Sequence, residues 1–121
     1  MPVRKRRRYL LLGLEGNAPA EAGDLVGLIL SAVVEFFGED RAVGAGLKLI
    51  EYDRDRRLAV LRCSHDCLRF VRAAIASITE WGGHPLAVHV LDVSGTLRAL
   101  RRRLPSRAKG LSKGLRQGGR G

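Results

Sequence analysis

Cys63, His65 and Cys67 fall within five residues of one another, and thiol and imidazole are the side chains that hold zinc, with His84 and His89 as the further ligands such a site would draw on. The spacing speaks against it. Cys63 closes an apolar run, Cys67 falls in the first turn of a helical pattern, and there is no second Cys-x-x-Cys pair to complete a tetrahedral set. Two small buried thiols are the reading that the pattern carries. Carboxylate chemistry fares no better. Two-metal cleavage of a phosphodiester requires acids clustered in a concave site, whereas Asp53 and Asp55 alternate with Arg54, Arg56 and Arg57 as a solvated turn would. No catalytic residue, no metal site and no cofactor bound by the protein is expected.

The remaining chemistry is that of the guanidinium group. Of 121 residues, 22 are Lys or Arg and 12 are Asp or Glu, a formal charge of +10. Arg4, Lys5, Arg6, Arg7 and Arg8 open the chain. Arg98, Arg101, Arg102, Arg103, Arg107, Lys109, Lys113, Arg116 and Arg120 close it, with no acid in either stretch. The two ends therefore carry +14 and residues 9–97 carry −4. Single-sign blocks repel themselves unless a polyanion neutralises them, so nucleic acid is the expected partner ahead of an acidic membrane surface or an acidic protein. Arginine dominates lysine eighteen to four, which suits bidentate phosphate contacts.

The elements that must position these charges are those of one domain with tails, since this length supports a single modest core. No apolar run approaches the ~18 residues of a membrane span, and the short apolar stretch after the basic start is closed by Gly13 and Glu15, so neither membrane insertion nor a signal peptide is expected and the cytoplasm is the expected compartment. With two cysteines in such a chain, reduced thiols are expected.

Residues 9–15 read as a strand whose unbroken Leu10-Leu11-Leu12 suits burial on both faces. A helix from near Pro19 to about Phe37 follows, its Leu25, Leu28, Ile29, Ala32, Val33, Phe36 and Phe37 on one buried face and Gly38 ending it. A Gly- and Ala-rich stretch reads as loop. Residues 47–52 and 58–63 form a hairpin around the charged turn. Ser64 is placed to cap a second helix, with Asp66 in its first turn and Leu68, Val71, Ile75 and Ile78 on its buried stripe, ended by Gly82-Gly83. A last strand runs over 86–93, and a short helix over 97–104 is stopped by Pro105. The sequence of elements, β-α-β-β-α-β, predicts an α+β, ferredoxin-like (RRM-like) antiparallel sheet with two packed helices, plus a short C-terminal helix and a basic tail. Residues 1–8 form the basic arm, 9–97 the domain, and 98–121 the basic helix and a Gly/Arg-rich tail expected to be disordered.

Lys48 to Arg62 (KLIEYDRDRRLAVLR), Ser64-His65-Asp66 at the second helix, the VLDVSGT corner from Val90 to Thr96 and the opening RYLL from Arg8 resemble, in order and at matching intervals, the archaeal and eukaryotic family of ribonuclease P protein component 2. The resemblance implies a non-catalytic subunit of the enzyme that removes the 5′ leader of precursor tRNA. Its partners would be the ribonuclease P RNA, which does the chemistry and would carry Mg²⁺, and a larger protein subunit of TIM-barrel type, with precursor tRNA met indirectly. A generic ribosome- or rRNA-associated RNA-binding protein is the alternative. An acylphosphatase-like enzyme of the same fold would require a Gly-rich loop with paired Arg and Asn after the first strand, and only Asn17 is present there.

RNA-recognition domains stack bases on sheet aromatics, but Tyr9 is the sole candidate. The outer face is therefore expected to be covered, either by the 97–104 helix or by a protein partner, self-association included. RNA contact then falls to Arg4, Lys5, Arg6, Arg7, Arg8, Arg98, Arg101, Arg102, Arg103, Arg107, Lys109 and Lys113. Ser94, Gly95 and Thr96 are a possible phosphate corner, although a turn glycine followed by a helix cap accounts for the same residues. If about half of the fourteen terminal charges neutralise phosphates, log K should fall with log salt at a slope of about −5 to −6. Deleting residues 105–121 removes five charges and should flatten that slope by a few units without loss of folding stability. A salt titration of RNA binding by both chains checks this, and an identical slope would make the tail a bystander.

Overall fold

The computed structural model describes residues 6–104. Arg4, Lys5, Pro105, Arg107, Lys109, Lys113 and the expected disordered tail lie outside the described residues. The sheet has the order β2-β3-β1-β5-β4, with β1 at Arg7–Gly16, β2 at Lys48–Asp53, β3 at Leu58–Ser64, β4 at Glu80–Trp81 and β5 at His84–Ser94. Every pairing is antiparallel. The four strands read from sequence therefore take the order expected of the ferredoxin-like arrangement, with the first strand in the middle. Because β1 starts at Arg7, Arg7 and Arg8 belong to the sheet and the arm is shorter than residues 1–8.

Helix α1 (Ala22–Phe37) lies on one face because its apolar positions recur every three or four residues. Leu25, Ile29 and Val33 are fully buried there against Leu10, Leu12 and Leu14 of β1 and Leu61 of β3. Helix α3 (Leu68–Ala76) adds Val71, Ala74 and Ile75 to the same core. The other face holds a second cluster. Leu11, Leu58 and Val60 meet Leu100 and Leu104, with Tyr9, Ile50 and Leu97 packed around them. The cover is α4 (Leu97–Arg102), so the helix of this chain, and not a partner, seals the strip over β1 and β3.

Three local expectations change. The Gly/Ala stretch is helical: α2 spans Glu39–Ala45, with Glu39 and Asp40 at its positive end, Ala42 and Ala45 buried, and Gly46 as a left-handed C-cap at φ 55°. Gly46 stops a helix instead of marking a loop, and Gly44 lies within it. Ser64 makes no capping hydrogen bond, because a 3₁₀ turn over His65–Cys67 intervenes before α3. Gly82 and Gly83 do not end α3, which closes at Ala76 with Ser77 Oγ donating to the Ala74 carbonyl at 2.6 Å. They form the two-residue turn of the β4–β5 hairpin, with φ 61° and 80°, the doubly positive conformation that glycine adopts most readily. Gly16, at φ 99°, lies so close to β5 that a Cβ there would come within 2.4 Å of the Pro85 carbonyl oxygen.

The charged loop between β2 and β3 ties the far end of the sheet together. Arg54 Nε donates to the Ala18 carbonyl at 3.1 Å, Arg57 to that of Gly16, and the Tyr52 hydroxyl to that of Pro19. Arg54 and Arg57 thus fasten the β1–α1 turn, which explains two arginines that composition alone assigns to a solvated turn.

Leu100 is 1% exposed and is the centre of α4's contact with the sheet. Leu100→Ala should cost about 2–4 kcal/mol in urea unfolding, whereas the exposed Arg102→Ala should stay within about 0.5 kcal/mol. Equal, negligible effects would mean that α4 does not cover the sheet.

Candidate nucleic-acid interface

The strand directions decide where the charges gather. The register pairs Arg7 with Ser64, Tyr9 with Ser94 and Lys48 with Arg62. The starts of β1 and β2 and the ends of β3 and β5 therefore share one end of the sheet. Arg6, Arg7, Arg8, Lys48, Arg62 and Arg98 collect there. Arg6, Arg7, Lys48 and Arg98 are exposed, Arg8 and Arg62 half-buried. Arg6 is held by the 2.8 Å hydrogen bond from the His65 amide to its carbonyl. Glu15, Asp53, Asp55 and Glu80 lie toward the opposite end, where Glu15 pairs with His89 at 2.9 Å and Asp53 with Arg56 at 2.8 Å. The end of the sheet where β1 starts is thus rich in cations, with Asp66 after β3 and Glu39 and Asp40 on α2 as the acids nearest to it.

The Ser94-Gly95-Thr96 corner turns the chain from β5 onto the outer face. Ser94 Oγ accepts from the Thr96 amide at 3.3 Å, and Thr96 Oγ1 caps α4 by accepting from the Ala99 amide at 3.1 Å. A Cβ on Gly95 would lie 3.3 Å from Arg8 Nη1, so the glycine makes room for that guanidinium. Each hydroxyl accepts a backbone N–H within the turn or cap, so the corner holds α4 through bonds within the chain while Gly95 leaves room for Arg8. Arg103 closes the other end of α4. Its Nε and Nη2 each lie 3.1 Å from a carboxylate oxygen of Asp92, and Nη2 also donates to the Val93 carbonyl at 3.0 Å. This fork holds the Asp92 carboxyl below the usual carboxylate range. Arg103 is thereby engaged as a clasp within the fold. Arg101 comes to lie near Glu51, and Arg102 is exposed.

Sequence reasoning placed Arg6, Arg7, Arg8 and Arg98 in the interface and passed over Lys48 and Arg62. The missing signal was the hairpin register, which sets these two opposite each other, and the outward phase of Arg62 on a strand whose other outward residues are Leu58 and Val60. Tyr9 packs against the cluster beneath α4, so the face holds no free stacking platform. Cys63 is buried, and desolvation first, with Cys67 nearby, pushes its thiol up to about 11. The thiol stays protonated at neutral pH. Among the described residues no three His, Cys, Asp or Glu side chains gather as a metal site, and no helix is long and apolar enough to cross a membrane.

A split β-α-β domain with a sealed sheet face and one cationic end defines a small polyanion-binding module. The comparisons say which. The chain matches the Rpp14/Pop5 family over residues 8–105, and it belongs to that family. Among its relatives is the ribonuclease P protein component 2 of Methanosarcina acetivorans, 28% identical over 79% of this chain and 71% of the relative. The protein of that name from Methanocaldococcus jannaschii is 31% identical over 79% and 70%, and that from Halobacterium salinarum 35% over 84% and 64%. A chain from the cryo-EM structure of yeast ribonuclease MRP superposes with a TM-score of 0.64 at 16% identity, covering 99% of this chain and 96% of that one, which shows the shared fold.

Glu51 gives the fold a pH dependence. It lies on β2 with one carboxylate oxygen buried and unpartnered, and burial outweighs the attraction of Arg101, raising its pKa from 4.5 to about 6. The folded chain therefore keeps this proton to a higher pH than the unfolded chain does. Stability falls as pH rises from about 4.5 through about 6, and the loss is complete above that window. As the side chain is only partly buried, solvent screening holds the effect below about 1 kcal/mol. Glu51→Gln should flatten the stability profile in this window and be at least as stable as the wild type at pH 7, measured by thermal unfolding across pH. A variant less stable at pH 7 would show the ionised carboxylate to be favourable.

Proposed function

We propose that this chain is a protein subunit of ribonuclease P that supports the catalytic RNA in removing the 5′ leader of precursor tRNA. The observation that carries the reading is the family match over residues 8–105 together with the cation-rich end of the sheet, which has the chemistry to grip RNA phosphates. In this reading the RNA performs the cleavage and carries the Mg²⁺. The chain's own part is to hold and order that RNA through charge and shape, since phosphate contacts fix position without reading sequence.

A larger protein subunit of TIM-barrel type is the proposed protein partner. What supports a protein contact is an apolar groove of about 490 Å³ between α1 and α2, lined by Val26, Val34 and Leu47, with Leu30 and Val43 exposed beside it. The cytoplasm is the proposed site of action.

Reconstituted cleavage of a precursor tRNA by the ribonuclease P RNA and the larger protein subunit, with and without this chain, tests the reading. Adding the chain should raise the rate at limiting Mg²⁺ several-fold and leave the cleavage position unchanged. RNA binding with no change in cleavage rate at any Mg²⁺ concentration would favour a general RNA-binding role.

A further inference from the structure

β5 has an edge that no strand among the described residues covers. β4 pairs only with its start, Glu80 with Pro85 and Trp81 with His84, and the last bond on that side runs from the Leu86 amide to the Thr79 carbonyl at 3.0 Å. Backbone groups alternate in direction along an antiparallel strand. Leu86 therefore sets the phase: the N–H and C=O of Val88 and Val90 point away from β1, and no hydrogen-bond partner meets them among the described residues. The register with β1 slips after Val90, skipping Leu91, and farther on Arg103 takes the Val93 carbonyl. The open stretch is Ala87 to Val90. A groove of about 380 Å³ runs along it, bordered by all four of these residues. Side chains of consecutive strand residues point to opposite faces, so four in a row share one space only at the edge, where the backbone is. Ile75 and Ala76 at the end of α3, with Ile78 just after it, form the opposite wall. The stretch contains no Lys, Pro or acid to guard it, whereas β2 at the other margin of the sheet carries Lys48, Glu51 and Asp53.

We propose that this edge is a docking site for an extended segment of a partner protein, added beside β5 in line with β4 through the backbone groups of Val88 and Val90. Strand addition draws affinity from the main chain and specificity from the pockets that alternate side chains enter. Every second side chain of the segment would enter the groove, where Ile75, Ala76 and Ile78 favour an apolar residue. Arg72 also borders the groove and shares a face of α3 with Ile75 and Ala76 by helical spacing. It is exposed and joins none of the ion pairs among the described residues. Of the neighbouring acids, Glu80 belongs to β4 and Glu15 is paired with His89. A carboxylate on the segment would meet Arg72 at the mouth of the groove. The same arginine disfavours a second copy of this chain, since two-fold pairing of β5 edges into one sheet brings each α3, and its Arg72, toward its counterpart. The inference goes beyond the RNA-binding reading and does not depend on it.

The experiment titrates the full chain, labelled for amide detection, with a blocked hexapeptide alternating Val and Glu. In one control peptide Lys replaces Glu, and in another the central backbone amides are N-methylated. The Val-Glu peptide should shift the Val88 and Val90 amides and slow their hydrogen exchange, leaving those of Ala87 and His89, turned toward β1, little changed. The N-methylated peptide should not bind, and the Lys peptide should bind several-fold more weakly. Arg72→Glu, an exposed change whose folding is checked by thermal unfolding, should reverse that preference. No shift at Val88 and Val90 with any peptide overturns the site, and a preference unchanged in Arg72→Glu overturns the acidic character of the partner. Shifts at these amides that follow protein concentration without peptide assign the edge to a second copy. Shifts with the catalytic RNA and not with peptide make it an RNA contact. Either result overturns the assignment to a partner protein.

Discussion

β1 is buried on both faces, and most of the molecule follows from that. Leu10, Leu12 and Leu14 face the helices, while Leu11 faces the opposite way with Leu58 and Val60. A strand of this kind cannot leave either side to water, because apolar burial at about 25 cal/mol per Å² is the main driving force available to so small a domain. The second face must be sealed. The chain seals it with six residues of helix, too few to hold themselves helical in water, so α4 is fixed by what it touches. Thr96 caps its start, Arg103 clasps Asp92 at its end, and Leu100 is sunk between them.

This arrangement accounts for how the domain can meet RNA. A sheet that stacks bases needs exposed aromatics, and here the one aromatic at the right place, Tyr9, is packed under the cover. Recognition moves from the face of the sheet to its end, where the antiparallel register brings together the basic residues of β1, β2 and β3 and the corner after β5. Glu15, Asp53, Asp55 and Glu80 lie toward the other end. The same topology that seals the face therefore also sorts the charge. Contact through an edge of guanidinium groups favours phosphate and shape over sequence, as suits a protein that organises a structured RNA.

Much of this was legible in the chain itself because the signals were local. The Leu10-Leu11-Leu12 run announced two-sided burial, the spacing from Leu25 to Val33 announced α1, and the charge asymmetry pointed to a polyanion. The features that escaped were set by tertiary context. α2 is about two turns of helix with Ala42 and Ala45 buried, and its glycines read as loop until Gly46 is seen to cap it. The β4–β5 hairpin hangs on two residues of strand, shorter than any periodicity can show. Arg62 and Lys48 look like ordinary strand residues until the hairpin register sets them face to face. Long-range register is not written in any window of sequence.

The central claim is that RNA meets the basic end of the sheet while the α4-covered face stays closed. Backbone amide chemical shifts of the labelled full chain, followed during titration with the catalytic RNA, test it most directly. The account predicts the largest changes at Arg6 to Arg8, at Arg62 to His65 and at Ser94 to Arg98, with the amides of Leu11, Leu58, Val60 and Leu100 unchanged. Large changes at Leu11 and Val60, with the α4 resonances moving to random-coil positions, would show that RNA displaces the helix and binds the sheet face, and would contradict it.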